Sequence, residues 1–255
     1  MSDTIQEKQH YVHSHGMPLK GKILMVASSP TVSKQTGWPI GFWAAELTHP
    51  LHVFQEAGYE VEIASTEGGK IEMDGYSNPT DASGYSAHDV ISLGYLQLDW
   101  FNGVLEHTKK LSEINANDYD AIFLVGGQGP MYTFRGNHDL KQLFAHFYES
   151  GKPSAAVCHS VTLLLETKKS DGSLVVDGKT WTGFANAEEA FADEAVGQKI
   201  QPYWIEEEAR KLPNTSFKVA APFSSYAIQD GNLITGQQQN SGAAAARLVV
   251  QQLSK

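Results

Sequence analysis

A chain of 255 residues, 41% of them hydrophobic and 19% charged, carries enough apolar material for one large core. Its formal charge of −10, with no cluster of Lys and Arg, argues against phosphate-mediated binding to nucleic acid or anionic membranes. No apolar run approaches the ~18 residues that a membrane span needs, and the single cysteine excludes an internal disulfide and fits a reducing compartment.

The first segment, MSDTIQEKQHYVHSHGMPLKGK, is polar and lacks the apolar centre of a secretory signal, so residues 1–20 are expected to be a flexible leader and the protein cytoplasmic. From residue 22 onward, apolar runs of strand length alternate with segments of helical period. That pattern predicts an α/β fold, a mostly parallel sheet with helices on both faces. KILMVAS (22–28) reads as a buried first strand, ELTHPLHVFQEAG (46–58) as a helix closing on Gly58, and YEVEIAS (59–65) as the next strand. The stretch from Gly68 to Asn117, rich in Gly, Ser, Asp and aromatic residues, is too long for a plain connector and is expected to form a partly helical insertion beside the site. DAIFLVGG (120–127) and PSAAVCH (153–159) are further parallel strands, separated by the helical segment NHDLKQLFAHFYESG (137–151). Asp177-Gly178 predicts a hairpin over 172–184, and Asp230-Gly231 another over 226–237. WIEEEARK (204–211) has the Glu-to-Arg and Glu-to-Lys spacing of a solvated, self-supporting helix face. The last helix, GAAAARLVVQQL, is expected to be capped by the Ser241 hydroxyl. Residues 21–255 therefore read as a single domain.

In a parallel sheet, ligands sit beyond the carboxyl ends of the strands, where turns and helix N-termini converge. Cys158 ends an apolar strand and a helical stretch, SVTLLLET, begins two residues later, which places the thiol at that edge. A strand–nucleophile–helix turn exposes the side chain and lets the next backbone N–H serve as an oxyanion donor. An unperturbed thiol of pKa ~8.5 is only about 3% thiolate at pH 7, and a helix N-terminus beside a cationic His159 predicts a lower pKa here. Cys158 reads equally well as a small core hydrophobe, the commonest fate of a free cysteine. LVGGQGP (124–130) ends its strand in a glycine turn that permits close backbone approach at Gly127 and Gln128. GFWAAELTHP (41–50) puts Glu46 at the start of the first helix, on the same edge, where a helix-start carboxylate favoured by the dipole is the competing reading. Trp38, Phe42 and Trp43 ahead of it, and Tyr95, Trp100 and Phe101 in the insertion, are expected mostly in the core or at dimer contacts. Any at the mouth would make the pocket narrow and apolar.

Together, ELTHPLHVFQEAGYEVEIASTEGGKIEMD, DYDAIFLVGGQGP, GKPSAAVCHS, GKTWTGFANAEE and DGNLITGQQQNSGAAAA make the chain similar to the ThiJ/PfpI superfamily, which has a class I glutamine amidotransferase-like fold. Within it, the chain resembles the heat-shock chaperone and glyoxalase III branch. The resemblance implies a flavodoxin-like sandwich, a homodimer, Cys158 as nucleophile, Glu46 as its carboxyl partner, and His159 oriented by the acid that ends TGFANAEE. Placement in that motif makes the acid Glu189, with Glu188 the neighbour it could be confused with. The implied reaction is addition of the Cys158 thiolate to the aldehyde of methylglyoxal or another 2-oxoaldehyde, proton transfer between the two carbons by Glu46, and hydrolytic release of a 2-hydroxy acid. The N–H groups of His159 and Gly127 would hold the oxyanion, and no organic cofactor or metal is implied. A carboxyl beside a thiolate in a partly desolvated site should have its pKa raised, the two titrating as a coupled pair.

Two departures bear on substrate. Gln128 stands where that branch usually has the histidine of a Gly-His-Gly turn, and Ser160 where it has the glycine of Cys-His-Gly. Gln128 hydrogen-bonds but cannot shuttle a proton, which would weaken or redirect glyoxalase activity. Alternatives are a redox-sensing holdase chaperone, with Cys158 oxidised to a sulfinate beside Glu46, and a hydrolase or hydratase of another small substrate. A glutaminase or papain-like protease takes its histidine from far beyond the cysteine, whereas every histidine here lies at or before position 159. His10, His13 and His15 read as a polar tail. His49 and His52, three apart on one helix, read as a surface pair or packed rim, to which His88 could come close, and no metal site is expected.

Overall fold

The computed structural model describes residues 19–255, so all but the last two residues of the expected leader, His10, His13 and His15 included, lie outside the described residues. In chain order the strands are β1 (Lys22–Ala27), β2 (Thr31–Val32), β3 (Pro39–Ile40), β4 (Glu60–Ser65), β5 (Lys109–Lys110), β6 (Ala121–Leu124), β7 (Ser154–Val157), β8 (Thr180–Trp181), β9 (Ser216–Phe217), β10 (Ala227–Asp230) and β11 (Leu233–Gly236). The α-helices are α1 (Ala44–Glu56), α2 (Val90–Tyr95), α3 (Asp99–Glu106), α4 (Pro130–Thr133), α5 (His138–Glu149), α6 (Asn186–Val196), α7 (Ile205–Ala209) and α8 (Gly242–Leu253). Seven strands form one sheet in the order β10-β11-β7-β6-β1-β4-β5. Within it only β10 runs antiparallel, and β11 continues the parallel set beside β7.

The central strands read as unbroken apolar runs because both faces of the sheet are covered. Side chains alternate between two cores with the period of two that a pleated strand imposes. Ile23, Met25, Ala27 and Phe123 face one core, with Leu47 and Phe54 of α1 and Val249 of α8. Leu24, Val26, Ile122 and Leu124 face the other, with Leu140 and Phe144 of α5 and Leu164 and Trp181. The segment from residue 68 to residue 117 contains α2, α3 and several single turns, and returns to the sheet as its edge strand β5. Among the described residues, no helix is long and apolar enough to cross a membrane.

Three local expectations are corrected. The hairpin over 172–184 does not form. Gly178 does turn the chain, but its N–H donates to the Asn214 carbonyl and Val175 and Val176 are fully buried, so β8 pairs in parallel with β9 instead. Ser241 precedes the last helix without capping it, because its hydroxyl accepts from the Tyr226 and Gln238 N–H groups. In α7 the Glu206–Arg210 pair is present, but Glu206 is buried and also accepts from Asn186 N–H at 2.7 Å. That carboxylate therefore ties α7 to the start of α6. The hairpin through Gly231 forms as the sequence predicts, with Asp230 opposite Leu233.

Candidate active site

The strand order turns back at β1, with β4 on one side and β6 on the other, so a crevice opens beyond their carboxyl ends. Cys158 lies at this edge, directly after β7, with φ +57°. A left-handed conformation costs a non-glycine residue about 1–2 kcal/mol, and here it turns the chain sharply from strand into helix. That helix is a 3-10 turn running Cys158–Leu165, so it begins at the cysteine itself and not two residues later. Ser160 secures the turn. Its fully buried hydroxyl accepts from Val157 N–H and lies 3.0 Å and 2.6 Å from the Leu124 and Val157 carbonyls, joining the ends of β6 and β7. The departure from glycine at this position is thus a structural brace.

His159 is buried beside the sulfur, its Nδ1 3.4 Å from Cys158 Sγ and its Nε2 2.9 Å from Glu189 Oε1. Phe184 stacks on the imidazole, ring centroids 4.2 Å apart, and fixes its plane. Burial alone would lower the His159 pKa, but the Glu189 carboxylate, with Glu46 and Asp74 behind it, outweighs burial and raises it. Burial raises Glu189 in turn, so this pair holds its proton firmly. Glu188 is separated from Glu189 by its contacts, accepting from Ala185 N–H, Phe223 N–H and the Gln237 amide. Its work is to hold α6 and the loop after β9.

Glu46 is fully buried in the first turn of α1. The Cys158 thiol and the Gly126 amide are its polar neighbours, yet neither carboxyl oxygen completes a well-directed hydrogen bond. Burial with so little compensation pushes its pKa up to about 8, as the sequence led us to expect. The lowered thiol pKa is a correction. Burial first, then the Glu46 carboxyl, push Cys158 up, while the N–H groups of His159 and Gly127, which face the sulfur, pull the other way without prevailing. At neutral pH the resting pair is a thiol beside a carboxylic acid.

The glycine turn after β6 makes this proximity possible. A Cβ on Gly126 would lie 2.1 Å from Glu46 Oε2 and 2.8 Å from Cys158 Cβ. Gly127 has φ +113°, and a Cβ there would meet Trp43 N at 2.4 Å. Asp74, to which the sequence reading gave no role, anchors the turn. Fully buried, it accepts from Gly41 N–H at 2.9 Å and Gln128 N–H at 2.7 Å. No motif marks an aspartate in the insertion as the partner of two distant backbone amides, and only the fold brings them together.

Above Cys158 is a cavity of about 190 Å³. Cys158, His159, Glu189, Gly127 and Gln128 meet there, while Trp38, Trp43, Tyr76, Tyr85, Phe184, Phe191 and Phe223 supply apolar walls. Phe42, by contrast, is core, and Tyr95, Trp100 and Phe101 pack on one another away from the cavity. His49 pairs with Asp89 at 2.8 Å and His52 stands edge-on to Tyr95. Among the described residues no group of three or more His, Cys, Asp or Glu could hold a metal ion.

A family profile described as the DJ-1/PfpI family matches residues 40–252. The chain is 29% identical to the probable glutathione-independent glyoxalase hsp3103 of Schizosaccharomyces pombe, covering 93% of this chain and 100% of that protein. It is 28% identical to the glutathione-independent glyoxalase HSP31 of Saccharomyces cerevisiae, covering 90% and 96% respectively. Among solved structures, the Rapid Encystment Protein of Francisella tularensis superposes with a TM-score of 0.81 at 26% identity, covering 91% of this chain and 99% of that one.

Proposed function

The chain belongs to the DJ-1/PfpI family, and on that premise we propose that it is a cysteine-dependent, glutathione-independent enzyme that converts a 2-oxoaldehyde such as methylglyoxal into a 2-hydroxy acid. The observation that carries this reading is the placement of one thiol between two proton-handling groups, the buried Glu46 carboxyl and the His159–Glu189 pair. The names of the two yeast relatives support the same chemistry. The homodimer implied by the family resemblance and the cytoplasmic location expected from the sequence belong to the same proposal.

Cys158 passes its proton to His159 Nδ1, 3.4 Å away, as it adds to the aldehyde carbon, forming a C–S bond and an oxyanion. The N–H groups of His159 and Gly127, which face the sulfur, would stabilise the charge that develops beside it. Glu46, in the minor ionised fraction that a pKa of about 8 leaves at neutral pH, removes the proton from the former aldehyde carbon and returns it to the adjacent carbon. The proton held on His159 passes to the oxygen there, leaving a 2-hydroxy thioester. Water then cleaves the C–S bond, and the His159–Glu189 pair supplies and recovers the proton that the sulfur needs. One carbon is oxidised as its neighbour is reduced, so no external oxidant or cofactor enters the balance. The test is incubation with methylglyoxal in the absence of glutathione. Lactate formed well above the buffer rate is expected, and its absence would overturn the proposal.

A further inference from the structure

The cavity is larger and more aromatic than a three-carbon dicarbonyl requires. An apolar cavity of ~150 Å³ admits benzene, and this one has about 190 Å³. Along one side, Trp38, Tyr76, Tyr85 and Trp43 stand successively edge-to-face, with centroids 6.0–6.1 Å apart. Elsewhere on the wall Phe191 of α6 meets Phe223 in the same manner at 5.2 Å. Rings so arranged present edges and faces to a further ring, the geometry that aromatic pairs prefer.

Beyond Glu189, the α6 side of this wall carries a second polar residue. Gln201 lines the cavity alongside Val196 and Ile200 and is only 2% exposed, and its Oε1 is buried with no hydrogen-bond partner. Buried polar groups are nearly always paired, so an unmatched acceptor on a residue that lines a cavity marks a place for a ligand donor. Gln128 Oε1 is the other such acceptor in this lining, but it belongs to the glycine turn beside Cys158, whereas Gln201 lies with the apolar residues at the end of α6. On the 2-oxoaldehyde chemistry set out above, we propose that the preferred substrate is an aryl 2-oxoaldehyde whose ring carries a hydroxyl group, with Gln201 accepting from that hydroxyl. The bonds made and broken are those already described. The Cys158 sulfur adds to the aldehyde carbon, the proton on that carbon moves to the ketone carbon, and water releases a 2-hydroxy-2-arylacetate and restores the thiol.

Phenylglyoxal, 4-hydroxyphenylglyoxal and methylglyoxal, compared on the wild-type protein, supply the test. We expect kcat/KM for phenylglyoxal to exceed that for methylglyoxal by about tenfold or more, and the ring hydroxyl to add about another tenfold. In Gln201→Leu the two aryl substrates should converge to the same kcat/KM, a ratio unaffected by any general loss of folded enzyme. Turnover of methylglyoxal as fast as phenylglyoxal, or a hydroxyl preference that survives Gln201→Leu, would overturn the inference while leaving the 2-oxoaldehyde reading in place. Failure to turn over any of the three would remove both.

Discussion

Cys158 and Glu46 oppose function to stability within a single pair of side chains. The carboxyl ionises at about 8 in the folded protein against an ordinary 4.5, because burial disfavours its charge. Between those pH values the folded chain retains a proton that the unfolded chain has released, so stability falls as pH rises, by up to ~1.4 kcal/mol per unit. Glu46→Gln removes this proton linkage. Its stability relative to wild type should therefore climb from pH 5 to pH 8, as urea midpoints at the two values would show, while turnover falls by about 10²-fold or more. A stability gap that does not change with pH would mean that Glu46 is ionised when folded. The sequence placed Cys158 and Glu46 at one edge of the sheet, and the family resemblance paired them. The direction of the thiol shift was not legible, because His159 and the helix start are visible in the sequence and the depth of burial is not.

At the scale of elements, the site depends on how closely the turn after β6 approaches β7 and α1. Gly126 is needed for space, with Glu46, the Val157 carbonyl and Cys158 all within 2.8 Å of where its Cβ would be. In Gly126→Ala we expect Glu46 to be driven off the sulfur, turnover to fall by about 10²-fold and thermal stability to drop, with the far-UV circular dichroism preserved. Normal turnover would show that the carboxyl has room to work from elsewhere. The parallel strands and long helices were readable because a buried strand must be apolar and a helix must repeat near 3.6 residues. The 172–184 hairpin misled because an Asp-Gly turn fixes only the local reversal. Burial of Val175 and Val176 and the distant pairing of β8 with β9 decide where the chain goes next.

At the scale of the whole molecule, the fold gathers the cysteine after β7, the glycine turn after β6, a carboxyl from α1 and a second acid from α6 around one crevice. The first three were legible as residues that close strands or open a helix at a common edge. Glu189 was placed through its motif, and its 2.9 Å contact with His159 distinguishes it from Glu188. Asp74, Gln201 and most of the ring-lined wall come from loops without periodicity, and their convergence is a property of the tertiary structure alone. The central claim is that Cys158 forms the covalent bond to substrate. Comparison of kcat/KM for methylglyoxal between wild type and Cys158→Ala, without glutathione, tests it most directly. A nucleophile that forms the intermediate should, on removal, cost about 10³-fold or more and leave only the background rate, whereas activity retained in Cys158→Ala would contradict the account.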